Sequence, residues 1–300
     1  MKKLTLLLIC LTLLDFLAQG QQANSFTTND GETLYFTSIG NGPKVIILTG
    51  GPGYGVSGLK YWTDSLSGDY ECILFDQRGT GLSSNVKMDS TTINLERAVQ
   101  DLDDFRKHIG ENQLTICGIS WGGMLAQAYA SIFPSNTKKI ILVNTGGPDM
   151  NLFPIIFNDI LPMRRYPAEK DSLKYWNEQP DNEISMIKRS IYWILPYFYN
   201  HDIGNKVMPQ LLSSMSFNQE MSDLMWKDLY KNYNLNLILG NYKNPCIILR
   251  GRQDIIPFEV SCQIKELLPQ TEIYTIERCG HMPGLEQPEE FYKILRKVLQ

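Results

Sequence analysis

The sequence predicts an α/β protein: a mostly parallel sheet with helices on both faces and one inserted helical segment. Three observations carry this. Short apolar runs at 45–48, 71–75, 114–117, 139–143, 245–250 and 272–276 alternate with helix-length amphipathic stretches, the pattern of strands buried on both faces. Nearly every run ends in a glycine-bearing loop that holds polar residues, so the candidate chemistry gathers at one edge of the sheet, beyond the strands' carboxyl ends. Between 147 and 241 the alternation stops, and the chain becomes dense in aromatics without a strand-like run.

Taken in order, residues 26–28 and 32–38 flank Asn29-Asp30-Gly31 and read as a hairpin. The run at 45–48 is continuous and ends in Thr49-Gly50-Gly51-Pro52-Gly53, which can continue neither strand nor helix. A helix at 59–66 and a strand at 71–75 lead to Asp76-Gln77-Arg78-Gly79-Thr80-Gly81. The charged residues of this turn are read as holding neighbouring loops by hydrogen bonds, rather than as catalysts. Residues 92–109 carry apolar side chains at Leu95, Val99, Leu102, Phe105 and Ile109, the spacing of an amphipathic helix, with His108 as a solvated residue at its carboxyl end. The aromatics of 147–241, from Phe153 to Tyr233, are expected mainly to glue short helices together. Beyond them come a strand at 245–250, a helix at 260–268, a strand at 272–276 and a helix at 288–299 with proline in its first turn. The resulting division is a leader at 1–20, a core built from 21–146 and 242–300, and a helical cap insertion at 147–241.

The 300 residues, 43% hydrophobic, suffice for a large core. A net charge of −4 without a basic block gives no electrostatic case for nucleic acid or an anionic membrane surface. Lys2 and Lys3, an apolar run over residues 4–14 and Ala18-Gln19-Gly20 have the form of an export signal cut after Gly20, which would make the protein periplasmic or secreted. About eleven apolar residues are too few to cross a bilayer of roughly 30 Å; an uncleaved anchor is the alternative. Cys10 would leave with the leader. Of the remaining cysteines, Cys72, Cys117 and Cys246 fall in expected strands, and only Cys262 and Cys279 lie in segments that could approach one another. Neither Cys-x-x-Cys, nor His-Glu-x-x-His, nor a histidine cluster is present, so neither metal nor cofactor is expected.

The central stretch is Gly118-Ile119-Ser120-Trp121-Gly122, between a strand and a helix. A serine at such a sharp turn is exposed at the strand's end, beside the free N–H groups of the helix start, and small residues two before and two after it relieve the crowding. A serine hydroxyl needs a base, and histidine accepts a proton near neutral pH. Of three histidines, His108 ends a helix and His201 lies in the insertion, which leaves His281 in a glycine-containing loop after the last strand. Asp254, after the preceding strand, is favoured over Asp149 as the carboxylate that orients it. The order Ser120, Asp254, His281 suits this architecture. The oxyanion would be held by the backbone N–H groups of Trp121 and Gly51.

These motifs resemble the α/β-hydrolase fold superfamily and, within it, the prolyl aminopeptidase (proline iminopeptidase) branch: Gly-Gly-Pro-Gly at 50–53, Asp-Gln-Arg-Gly-x-Gly at 76–81, Gly-x-Ser-x-Gly-Gly at 118–123, Gly-x-x-Asp at 251–254 and Gly-His at 280–281. Thr49 departs from the histidine usual there. The resemblance implies a serine hydrolase acting through an acyl-enzyme on a short peptide or amino-acid amide. Small carboxylic esters are the runner-up substrates, and a non-catalytic ligand-binding member of the fold is the third reading. It also makes Glu178, beside Trp176, and Glu220 the insertion residues to test for holding a substrate's free amino group.

Overall fold

Val45, Ile46, Ile47 and Leu48 point alternately to the two faces of one strand, and all four are buried. In the computed structural model, which describes residues 23–300, Ile46 and Leu48 join one apolar cluster while Val45 and Ile47 join another on the opposite face. Ile116 against Cys117, Ile140 against Ile141, and Ile248 against Ile247 divide the same way. This explains why the strands read as continuous apolar runs instead of alternating ones. The leader expected at 1–20 lies outside the described residues.

Eight strands form the sheet: β1 (Asn24–Thr27), β2 (Thr33–Ile39), β3 (Lys44–Leu48), β4 (Glu71–Phe75), β5 (Leu114–Ile119), β6 (Thr137–Val143), β7 (Cys246–Gly251) and β8 (Glu272–Ile276). Their order is β1-β2-β4-β3-β5-β6-β7-β8. The β1–β2 hairpin and the β2–β4 pair are antiparallel, and every later pair is parallel. Among helices of seven residues or more, α1 (Lys60–Leu66), α2 (Leu95–His108) and α3 (Trp121–Ile132) precede the insertion. The Asn94 side chain accepts from the Arg97 N–H and so starts α2 three residues later than the apolar spacing alone suggests. His108 ends α2, exposed as expected, with its ring 5.5 Å from that of Phe26.

Between β6 and β7 the described chain is helical: a short stretch from Phe153 to Arg164 containing a π-helical turn, then α4 (Pro167–Asn177), α5 (Glu183–Ile194), α6 (His201–Ser214) and α7 (Gln219–Asn232). After β7 come α8 (Phe258–Leu267) and α9 (Pro288–Leu299). Helices α2, α3 and α8 cover one face of the sheet, α1 and α9 the other. The segment from α4 to α7 rests on both: Met221, Met225 and Leu229 of α7 enter the main cluster, while Ile191, Ile194, Leu195, Phe198 and Met208 form a third that meets Met282 and Leu285.

The expectation that its aromatics are mainly core needs correction. Phe153, Phe198 and Tyr233 are buried, but Tyr166, Tyr175, Trp193, Tyr199, Phe217 and Tyr230 are exposed. Helices laid as one layer over a sheet edge have a partner on one side only. Among the described residues the five cysteines are free; Cys262 is exposed and Cys279 buried, and no bridge joins them.

The Asp76-Gln77-Arg78 turn is structural in the way its composition suggests. Asp76 accepts from the Val56 and Leu82 N–H groups at 2.9 and 3.1 Å. Arg78, 3% exposed, takes Asp101 in a fork of 2.9 and 2.5 Å bonds and Asp30 in a second fork at 2.9 Å, which ties the β1–β2 turn to α2. Arg78→Ala leaves the buried Asp101 without its cation and Asp30 with only Arg97 at 3.7 Å, and is expected to cost about 3–5 kcal/mol, read as a shift of the urea midpoint. The Arg78 guanidinium holds the Asp30 carboxyl below its usual 3.8, at about 2. A depressed carboxylate stabilises the fold fully above its unfolded value and loses that contribution as the pH falls through about 2. Part of the acid sensitivity between these limits should therefore vanish in Asp30→Asn, as a pH series of thermal melts would reveal.

Candidate active site

Ser120 is the single residue between β5 and α3, and its backbone lies in the left-handed region with φ 54° and ψ −118°. A non-glycine residue there is strained and is held only where the surroundings leave no alternative. The constraint is visible on both sides: a Cβ on Gly118 would lie 2.2 Å from the Gly122 carbonyl oxygen, and one on Gly122 would lie 2.5 Å from that of Leu48. The backbones of β3, β5 and α3 thus pack directly against one another. Ser120 N–H donates to Val143 O at 2.9 Å, which ties the turn to the end of β6.

The loop after β3 lies against the serine. A Cβ on Gly50 would sit 3.2 Å from that of Ser120 and 3.8 Å from its Oγ. Gln77 joins this loop to the residue after the serine: its Nε2 donates to Thr49 O at 3.3 Å, and its Oε1 accepts from the Trp121 indole N–H at 2.7 Å. Among the described residues, the backbone N–H groups of Gly51 and Trp121 have no protein acceptor. The glycine loop is also bridged to the segment before α7, where Gly55 N–H donates to Ser216 O at 3.0 Å and Asn218 N–H to Gly53 O at 2.9 Å.

At the ends of β7 and β8, His281 Nδ1 and Asp254 Oδ1 are 2.6 Å apart, with side chains 3% and 1% exposed. The other Asp254 oxygen is buried without a partner among the described residues. The His281 N–H donates to Tyr197 O at 2.7 Å, and the two rings meet edge to face at 5.3 Å. Of the two candidate acids only Asp254 meets the imidazole. Asp149 is already bound to the Asn151 N–H and the Asn236 amide. His201 pairs instead with Glu169 at 2.7 Å inside the insertion, its ring stacked on Tyr166.

Of the three insertion residues singled out by resemblance, Glu220 lies two residues from Asn218, whose N–H binds the glycine loop. Glu178, at the end of α4, and Glu220, in the first turn of α7, are exposed, and neither forms an ion pair among the described residues. Trp176 packs edge to face on Tyr175. Conversely, the sequence reading passed over Gln77, Asn144 and Glu286, each of which holds a site loop. Only Gln77 carried a signal, its place between Asp76 and Arg78. No group of three or more metal-ligating side chains is found among the described residues.

A family model described as alpha/beta hydrolase fold matches residues 43–288. A proline iminopeptidase from Heyndrickxia coagulans is 27% identical over 276 residues, covering 88% of this chain and 93% of that protein. An alpha/beta fold family hydrolase from Bacillus anthracis superposes with a TM-score of 0.76 at 22% identity, covering 92% and 98% of the two chains. A thermophilic esterase from Thermogutta terrifontis gives 0.67 at 22% identity, covering 93% and 98%.

Gly122→Ala is expected to push the loop after β3 off the elbow and to cost at least about 1–3 kcal/mol in chemical denaturation. Gly68→Ala, where a Cβ meets nothing within 4 Å, serves as the unaffected control.

Proposed function

The chain belongs to the alpha/beta hydrolase fold family, and on that premise we propose that it is a serine hydrolase in which Ser120 is the nucleophile, His281 the base and Asp254 the carboxylate that orients it. The observation that carries this reading is the buried 2.6 Å pair of His281 and Asp254 at the same sheet edge as the strained serine turn. In the first step the Ser120 hydroxyl passes its proton to His281 Nε2 as Oγ attacks the substrate carbonyl carbon. Asp254 accepts from Nδ1–H, fixing the tautomer with Nε2 free and stabilising the imidazolium. The backbone N–H groups of Gly51 and Trp121 receive the developing oxyanion. The imidazolium then protonates the leaving group, and water activated by His281 releases the acyl group from Ser120. With serine at the elbow, a carboxylate-nucleophile reaction on epoxides or haloalkanes is set aside.

For substrate we propose a small peptide or amino-acid amide with a free amino terminus, on the strength of the likeness to a proline iminopeptidase along most of both chains. Small carboxylic esters are the second reading, favoured by Thr49 in the place where the resemblance expects histidine. The helices from α4 to α7 would act as a cap over the site in either case, and export by the leader would place the enzyme outside the cytoplasm.

Turnover of a proline arylamide is compared with that of its N-acetylated form and of a short-chain aryl ester. The peptidase reading expects the free-amine arylamide to be cleaved and the blocked one spared; cleavage of the ester alone removes it. Ser120→Ala and His281→Ala should each fold and lose about 10⁴-fold or more in kcat. A fluorophosphonate should label Ser120 in the wild type, and its failure to react with the folded protein would favour a ligand-binding role.

A further inference from the structure

The loop that carries His281 is held at almost every backbone polar atom near the imidazole. Gly280 O accepts from Asn144 Nδ2 at 3.0 Å, and Gly280 N–H donates to Glu286 Oε1 at 2.9 Å. Met282 N–H reaches the same Oε1 at 3.2 Å. Both holding side chains are themselves committed elsewhere. Asn144 Oδ1 accepts from Gly251 N–H at 2.9 Å, at the head of the loop that carries Asp254, and Asn144 N–H donates to Leu249 O at 2.9 Å. Glu286 Oε2 accepts from Tyr199 N–H at 2.7 Å, on the strap whose neighbour Tyr197 binds the His281 N–H.

We propose that Asn144 and Glu286 are positioning residues for the reaction: a brace that fixes the His281 loop against the Asp254 loop on one side and against the helical insertion on the other. The inference rests on the serine-hydrolase reading and deepens it. Neither side chain touches the imidazole, so they act through the backbone on either side of it. Asn144 is 1% exposed and has φ 44°, a conformation that asparagine tolerates better than most residues. From that one position its amide reaches the loops of both His281 and Asp254, with one acceptor and one donor. A carboxylate suits position 286 because the groups facing it there are donors, the N–H groups of Gly280, Met282 and Tyr199. Arg164, bound to the Gln253 and Phe198 carbonyls, adds a positive charge within reach of both Asp254 and Glu286 without pairing with either. Burial raises the Glu286 pKa, and the N–H bonds act against that rise. A displacement of the imidazole by about 1 Å can cost on the order of a hundredfold in rate, so a brace without contact to substrate still matters for kcat.

The full-length chain is compared with Asn144→Gly, which keeps the backbone conformation, with Asn144→Asp, which turns the donor to Gly280 O into a repelling acceptor, and with the isosteric Glu286→Gln. Active sites are titrated with a fluorophosphonate, and kcat is expressed per titrated site on whichever substrate the wild type cleaves. The expectation is a fall of about tenfold to a hundredfold in kcat and in kcat/KM together, with KM little changed, and a matching fall in the labelling rate. Glu286→Gln, which keeps one oxygen for Gly280 and Met282, should retain more activity than Glu286→Ala. Folded variants with wild-type kcat per titrated site, showing only a lower melting temperature or fewer titratable sites, would overturn the brace. Glu286→Gln decides the matter where the other variants fail to fold. An unlabelled wild type overturns the serine reading and the brace with it, whereas a labelled wild type with variants labelled at the same rate overturns the brace alone.

Discussion

The structure depends on one steric constraint: a buried strand must become a buried helix across a single residue. The chain meets it by placing Ser120 in left-handed backbone and leaving positions 118 and 122 without side chains. The strain at such a residue is on the order of 1–3 kcal/mol, and it is held by the burial of β5 and α3 on both sides. The constraint also fixes what lies next to the serine. Because the backbones of β3 and α3 touch, the glycine loop after β3 has nowhere to go except over the hydroxyl, where a Cβ on Gly50 would already be in contact. The placement of the Ser120 hydroxyl beside the Gly51 and Trp121 N–H groups is thus a consequence of packing.

The second half of the site uses the same device with different partners. A Cβ on Gly251 would lie 2.2 Å from Gly280 O, so the ends of β7 and of the His281 loop also meet backbone to backbone. Polar bonds then lock what close packing brings together. Buried carboxylates are costly unless they are paired or hydrogen-bonded, and near this edge most have full sets of donors. Asp76 binds two backbone N–H groups and Glu286 three, with burial raising the pKa of each. Asp254 differs, with one oxygen on His281 and the other buried alone. Its partner is a titratable ring where Asp76 and Glu286 have backbone donors.

What was legible in the sequence follows from how far apart the interacting atoms lie along the chain. The strands were legible because Val45–Leu48 and its counterparts are buried on both faces, which leaves a run of apolar residues with sharp ends. The elbow was legible because its strain is relieved locally, by glycines two residues either side. Asp254 and His281 were legible only as candidates in the right loops. Asn144 and Glu286 were not legible, since they work by binding backbone atoms; Asn144 is 136 residues from the glycine it holds, and nothing in its neighbourhood marks it. The exposure of the insertion's aromatics escaped for a related reason. Composition reports how much apolar surface a segment carries, but not whether a second layer lies beyond it.

The insertion meets the core at two loops: residues 216–218 are hydrogen-bonded to the glycine loop, and residues 197–199 to the His281 loop and Glu286. It is anchored at those points by apolar clusters too, through Met221 and Met225 on one side and through Met282 and Leu285 on the other. A segment attached in this way cannot shift as a body without moving the oxyanion donors or the imidazole. On the proposed serine-hydrolase reading, selection of substrate by the helices and activation of the serine at the sheet edge would therefore not be separable tasks. On that reading, a change in the insertion would reach the serine edge through Tyr197 and Asn218, whose backbones belong to one part and bind the other.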